Sequence, residues 1–379
     1  MDLVAGRHFT AERRPIRHLD PVLIAVVVGL SAIGPFMIYA ATKAQLLAQH
    51  TDPGLQAKKQ LTFMALGLVV MILAATFDYR FYKVYAGFAF AAVLTLLVLV
   101  RTPLGSSSLG AQRWFQIAGF QFTPSEYMKI ALIVMLAAFL SELRSQELSL
   151  QEVYRATAIA LVPMVLVFLQ PDIGTTMVLG AVLGGVLVIA GARLRTLGVL
   201  GLTGIVLLFG AFQLGAVKDY QIARLTGFLD PTNDPLQAGY NKNQAETAIG
   251  SGGTTGVGYL KGAQTNLNFV PEQSTDFIFT VVGEQFGFVG SAIILFLFAI
   301  VIWRAFRIAL LSKDPFVTYV AAGVASMFAI QMFVNIGMNV GIMPITGIPL
   351  PFISYGGSSL LANFAAVGLL LNVHMRRFK

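Results

Sequence analysis

Long apolar runs alternate with short polar or basic connections along the whole 379-residue chain. A bilayer core is crossed by about 20 mostly apolar residues in a helix. Ten segments meet that description, at about 21–42, 60–77, 82–100, 124–143, 156–170, 173–191, 196–216, 277–303, 316–340 and 356–374. The fifth and sixth form one apolar stretch interrupted by "LQPDIGTT". Pro171 and Asp172 predict a turn at a membrane face there, with a single buried helix as the alternative. The expected fold class is an all-α polytopic membrane protein of about ten transmembrane helices, with residues 1–379 forming one integral membrane domain and no soluble domain. The first run is too long for a signal-peptide core, and no A-x-A site closes it, so it reads as an uncleaved span.

Ten spans put both chain ends on one side. The basic residues test this, because Lys and Arg accumulate in cytoplasmic loops. The side of the ends holds sixteen of the 26 basic residues, among them Arg80, Lys83, Arg193, Arg195, Arg304, Arg307 and Arg376. The short loops opposite hold Lys43, Lys58, Lys59, Arg101 and Arg113. Both termini, including a 1–20 N-terminal segment, are therefore expected in the cytoplasm. Three segments remain outside. Residues 217–275, between the seventh and eighth spans, form a long loop rich in Gly, Asn and Gln, where short helices at the membrane surface are expected. Residues 101–123 and 341–355 are the other two. No internal repeat of the transporter kind is evident.

Composition agrees with this picture. The chain is 56% hydrophobic and 12% charged, where a soluble domain approaches a quarter charged. It has no cysteine, so disulfides and thiolate chemistry are excluded. Its four histidines are scattered, which argues against a zinc site. A net charge of +8 can suggest nucleic acid, but most of it is the orientation signal. No nucleic-acid partner is expected.

The candidate chemistry lies in a few acids and bases placed where they are costly. In "NFVPEQSTDFIFTVVGEQFGFVG", Glu272 and Asp276 stand at the lip of an apolar run and Glu284 about two turns inside it. A carboxylate in hydrocarbon costs several kcal/mol unless it has a partner or a task. Thr275 and Asp276 can cap the helix start. Alternatively Asp276 faces a half-desolvated cleft, where a raised pKa suits a general base. Glu284 lies beside Gly283, Gly287 and Gly290, whose spacing lets another segment approach closely. Its expected role is a structural hydrogen bond or ion pair. Glu126 and Lys129 in "TPSEYMKIALI" share a helical face and can pair with each other, or Lys129 can reach an anionic ligand. Asp172 is either a turn-and-cap residue or part of a site. Arg113, Lys218 and Arg224 are either solvated loop charges or a phosphate-binding group. Gln244, in the loop sequence "GYNKNQAETAIGSGG", is a further candidate substrate contact. "IGSGGTTGVGYLKG" lacks the nucleotide P-loop spacing. "PLPFISYGGSS" breaks the approach to the last span and can line a cavity if shielded from lipid. These residues alone fit either chemistry on a lipid-linked anion or transport of one.

The same motifs resemble those of the SEDS (shape, elongation, division and sporulation) family. They include "RWFQIAGFQFTPSEYMKIALI", "QPDIGTTMV", "DYQIARLTGFLDP", "AIGSGG", "LNFVPEQSTDFIFTVVGEQFGFVG" and "NIGMNVGIMPITGIPLPFISYGGSS". The resemblance covers nearly the whole chain, and "LNFVPEQ" and "PITGIPLPFISYGGSS" favour the elongation branch over the division branch. It implies ten helices in a bacterial cytoplasmic membrane, both termini inside and the active cleft outside. It implies polymerisation of lipid II into β-1,4 glycan. Asp276 falls on the family's essential aspartate, while Glu126, Lys129, Asp172, Arg224 and Glu284 fall in its other motifs. It implies a class B penicillin-binding protein and other elongation-complex membrane proteins as partners. Two positions depart from many relatives: Val257 stands where a lysine is common, and Ser274 where a histidine is common.

The expected mechanism is an inverting displacement. Asp276 takes the proton of the acceptor 4-hydroxyl as it attacks the donor's anomeric carbon. Lys129, Arg224 and Arg113 stabilise the leaving pyrophosphate, while Glu126, Asp172 and Glu284 support them. A divalent cation, Mg or Mn, is a further expectation without a diagnostic site. The competing readings are a lipid II flippase, a non-catalytic scaffold and a division-type polymerase.

Overall fold

The computed structural model describes residues 19–108, 111–117, 119–143, 148–213, 222, 228 and 238–376. Among the described residues, eight helices come before the long loop: α1 (Pro21–Ala48), α2 (Leu55–Thr76), α3 (Tyr79–Val84), α4 (Ala86–Leu99), α5 (Pro124–Ser141), α6 (Leu150–Phe168), α7 (Ile173–Ile189) and α8 (Leu194–Gln213). Within the loop lie α9 (Ala238–Gly252) and α10 (Ala263–Asn266). The chain closes with α11 (Ile278–Leu311), α12 (Pro315–Asn339) and α13 (Gly357–Arg376). Among the described residues, seven helices are long and apolar enough to cross a bilayer, and three shorter apolar helices lie at Ala86–Leu99, Ile173–Ile189 and Leu194–Val206. Together they occupy the ten expected segments.

Local sequence explains the boundaries. Asp20 caps α1 by accepting the Leu23 N–H, with Pro21 in the first turn, where its missing donor costs nothing. Ser149 and Glu152 form a reciprocal capping box at the start of α6. That box sets the helix start six residues before the expected 156. The "QPD" turn does separate α6 from α7, and Asp172 caps α7. The expected third span is divided at Tyr85 into the short α3 and α4.

Two features depart from a purely helical expectation. Residues 106–122 carry a small antiparallel sheet of β1 (Ser106–Ser108), β2 (Ala111–Ile117) and β3 (Phe120–Phe122). Helix α11 is also not continuous. Gly287 adopts φ 63°, ψ −157°, a conformation confined to glycine. The glycine-rich stretch after α9 docks into that break. Val257 and Gly258 N–H groups donate to the Glu284 and Gln285 carbonyls, and Phe288 and Val289 N–H groups donate to Gly253 and Thr254. Backbone freed by the kink is thus satisfied by protein, as membrane depth requires.

The core runs through α12 and α13 and the segment 341–355. Leu350, Phe352 and Ile353 of that segment are buried at the centre of the bundle. Phe352 packs against Phe328 of α12 and Phe364 of α13. A side chain at Gly34 of α1 would meet the Phe352 and Ile353 carbonyls. Large apolar side chains such as Phe88 and Leu310 stand exposed on the outside of the bundle, where lipid would cover them.

Candidate active site

The segment 341–355 ties together the chain's chemically unusual residues. Its Ser354 hydroxyl donates to the Thr275 carbonyl at 2.6 Å and accepts the Leu350 N–H. Its Tyr355 N–H donates to the Ser274 carbonyl at 2.8 Å. Buried Gln60 of α2 donates to the Ser354 carbonyl. On the other side, Ile348 and Thr346 lie against Gly174, two residues from Asp172. A few residues onward, the Ser358 hydroxyl donates to Gln121 and accepts the Thr123 N–H, which fixes the start of α5. One irregular stretch thereby draws 121–126, 172–175 and 274–277 to one end of the bundle.

Asp276 is half-buried, and its main chain is held hard. The amides of Asn335 and Asn339, one turn apart on α12, both donate to its carbonyl, at 2.9 and 3.1 Å. Asn335 also donates to Ile348 at 2.7 Å, and Asn339 to Asn335 at 2.7 Å. The capping role open to Thr275 and Asp276 is not the one they play. Helix α11 begins at Ile278 after Phe277, and no side chain caps it. Thr275 instead donates to the Glu272 carboxylate at 3.1 Å. Glu272 is exposed and has a positive φ of 51°.

Glu284 has the opposite character. It is 1% exposed. Its carboxylate accepts the Gln264 N–H at 2.8 Å, the Thr265 N–H at 3.0 Å and the Thr265 hydroxyl. It therefore anchors the short α10, the structural role its depth predicted. Gly262 must be glycine here, because a Cβ would lie 2.4 Å from the Glu284 carboxylate.

The remaining expected residues fall as follows. Lys129 is 2% exposed and pairs with Glu126 at 2.7 Å within α5. Arg113, on β2, donates to the carbonyls of Gln170 and Pro171 and lies 3.9 Å from the Asp172 carboxylate. Asp172 accepts the Thr175 N–H and hydroxyl, both at 2.9 Å. It is thus both cap and partner of an arginine. Gln244 is half-buried on α9. It shares a helix face with Ala248. Ala248, with Ala245, packs in a cluster with Phe277, next to Asp276. Arg224 and Lys218 lie outside the described residues.

Among the described residues, no three His, Asp or Glu side chains gather to hold a metal. Asn335 and Asn339 received no role from the sequence, although "NIGMN" carries two amides one turn apart inside an apolar helix. That pattern was the available signal.

Comparison with known proteins places these elements in a familiar frame. A family model for FtsW, RodA and SpoVE, described as cell cycle proteins, matches residues 21–379. Stage V sporulation protein E of Bacillus subtilis is 38% identical over 93% of this chain and 96% of its own length. The peptidoglycan glycosyltransferase MrdB of Escherichia coli K12 is 36% identical over 95% and 94%. Among solved structures, a chain from a peptidoglycan synthase complex that coordinates polymerization and crosslinking has a TM-score of 0.79. It is 31% identical over 95% of this chain and 99% of that one. The rod shape determining protein RodA of Thermus thermophilus has a TM-score of 0.69 and is 28% identical, over 95% and 98%.

Proposed function

This chain belongs to the FtsW, RodA and SpoVE family of cell cycle proteins, a membership that makes it a peptidoglycan glycosyltransferase, and we propose that Asp276 is its general base. One observation carries the assignment. The Asp276 main chain is clamped by two buried amides, while no side chain at that position is spent on capping the helix. A half-buried acid whose backbone is fixed at the mouth of an apolar helix is preorganised to take a proton.

In the reaction proposed, the substrate is lipid II and the setting is cell elongation. The acceptor sugar's 4-hydroxyl gives its proton to Asp276. Its oxygen bonds to the donor's anomeric carbon, and the bond to the lipid pyrophosphate breaks on the opposite side. This inverts an α-linked donor into a β-1,4 product. The pyrophosphate leaves as an anion and needs positive charge more than a proton. Lys129, Arg113 and Arg224 are the cations assigned to it, with Glu126 and Asp172 orienting the first two. Gln244 contacts substrate from α9. Glu284 acts at a distance, by anchoring the loop that packs beside α11. The cleft opens on the face away from the chain ends, so both termini are cytoplasmic. The transpeptidase partner is a class B penicillin-binding protein, supported by the likeness to a chain from a complex that couples polymerization to crosslinking.

The test uses purified protein with its penicillin-binding partner and labelled lipid II. Glycan ladders should form, persist in moenomycin, and vanish in Asp276→Asn. The drug separates this activity from that of unrelated contaminating polymerases. Absence of ladders, together with lipid II movement across liposomes, would turn the reading to a flippase.

A further inference from the structure

A second site lies at the other end of α11 from Asp276. Here α1 begins and α13 ends. A cavity of about 80 Å³ is lined by Asp20, Arg304, Arg307, Ile308 and His374. That is several times the ~10–15 Å³ that one water needs on the same measure, so the space has room for a phosphate-sized group.

Its charges are unequal. The Asp20 carboxylate is fully buried and caps α1 through the Leu23 N–H at 3.1 Å. It also accepts Arg304 Nε at 2.6 Å and contacts a second nitrogen of the same guanidinium. Asp20 and Arg304 therefore neutralise each other. Arg307, one turn on, forms no ion pair among the described residues and is exposed. Among the described residues it gives the cavity lining a net positive charge.

The surroundings identify the source of the anion. Arg304 and Arg307 both lie over the Trp303 ring, 5.7 and 5.6 Å from its centroid. Trp303 is 57% exposed, and Phe296, two turns nearer the bilayer centre on the same helix face, is 65% exposed. An exposed Trp flanked by arginines at the end of an apolar helix sits at headgroup level. The apolar surface next to it continues into the acyl-chain region. A free phosphate has no use for that surface; a phospholipid does.

We propose that this cavity binds the phosphodiester of an anionic phospholipid, with Arg307 as its main contact and Trp303 and Phe296 against the acyl chains. The Asp20 carboxylate also faces the cavity and is tolerated because Arg304 holds it. Nothing in the Asp276 chemistry depends on this site.

Native mass spectrometry of the full chain, released from detergent with phosphatidylglycerol or phosphatidylcholine, tests the proposal. The protein should retain phosphatidylglycerol about five-fold over phosphatidylcholine, corresponding to the ~1 kcal/mol that one arginine contributes near an anionic surface. Arg307→Gln should bring the ratio to near one, and Arg307→Lys should restore part of it. Arg80→Gln, a change at another basic position on the same face, should leave it unchanged. Millimolar inorganic phosphate should not displace the lipid. Equal retention of the two lipids, an unaltered ratio in Arg307→Gln, or displacement by phosphate would each overturn it.

Discussion

Asp276 and Glu284 lie eight residues apart in one stretch of chain, yet the fold treats them in opposite ways. Glu284 is sealed from solvent, and three donors fill its carboxylate. At Asp276 the fold fastens the main chain through Asn335 and Asn339 and leaves the residue half-exposed. A buried, saturated acid is a tie between segments, because its charge is already committed. A half-buried acid whose backbone is immobilised is placed to react. Depth, rather than the presence of an acid in an apolar run, separates structure from chemistry here.

The contrast can be broken or sharpened by substitution. Glu284→Ala removes the acceptor of three donors. At about 1 kcal/mol or more for each orphaned group, it should lose at least about 3 kcal/mol of stability. Thermal unfolding in detergent reads this, and loss of activity should track loss of folded protein. Gly287→Ala should cost roughly 1–3 kcal/mol, because only glycine adopts its backbone angles without strain. A Cβ there would also lie 2.4 Å from the Gly256 nitrogen. The same unfolding assay checks it, and proteolysis of the 252–258 stretch should accelerate.

Asn335→Ala and Asn339→Ala should act on the other side of the comparison. Each frees one tether of the Asp276 carbonyl and should lower turnover by roughly ten-fold, since small misplacements of a reacting group are costly. Turnover should fall further than the melting temperature explains. A change in KM alone would contradict a positioning role.

The smallest effect is expected at Asp52, in the loop between α1 and α2. Its hydrogen bond to Lys58, at 2.5 Å, and another from the Gly54 N–H hold its carboxyl below the usual carboxylate range. A depressed pKa adds stability above the unfolded-state value, and that stability is lost as pH falls through the folded-state value. The pair is exposed to solvent, so Asp52→Asn should leave the melting temperature unchanged at neutral pH.

Much of this fold was legible in the sequence because hydrophobic length is a strong signal. The ten apolar runs, the turn at Pro171–Asp172 and the structural role of Glu284 all followed from length, proline and depth. What escaped depended on tertiary contacts. The strands at 106–122 are too short and polar to show a pattern. The kink at Gly287 is invisible without the Gly253–Gly258 backbone that fills it, although both glycine clusters were in view. Asp276 looked like a helix cap because Thr-Asp before an apolar run is a capping pattern; only the helix start at Ile278 removes that role. The clamp by Asn335 and Asn339 joins residues some 60 positions apart, which no local motif reveals.

The central claim is most directly tested by single-turnover polymerisation per folded molecule, with Asp276→Asn and Glu284→Gln side by side. The account predicts that Asp276→Asn unfolds at the wild-type temperature and loses about 10²- to 10⁴-fold in rate, the contribution of a general base. Glu284→Gln should unfold earlier and retain the rate of the molecules that remain folded. Wild-type turnover by Asp276→Asn would contradict it.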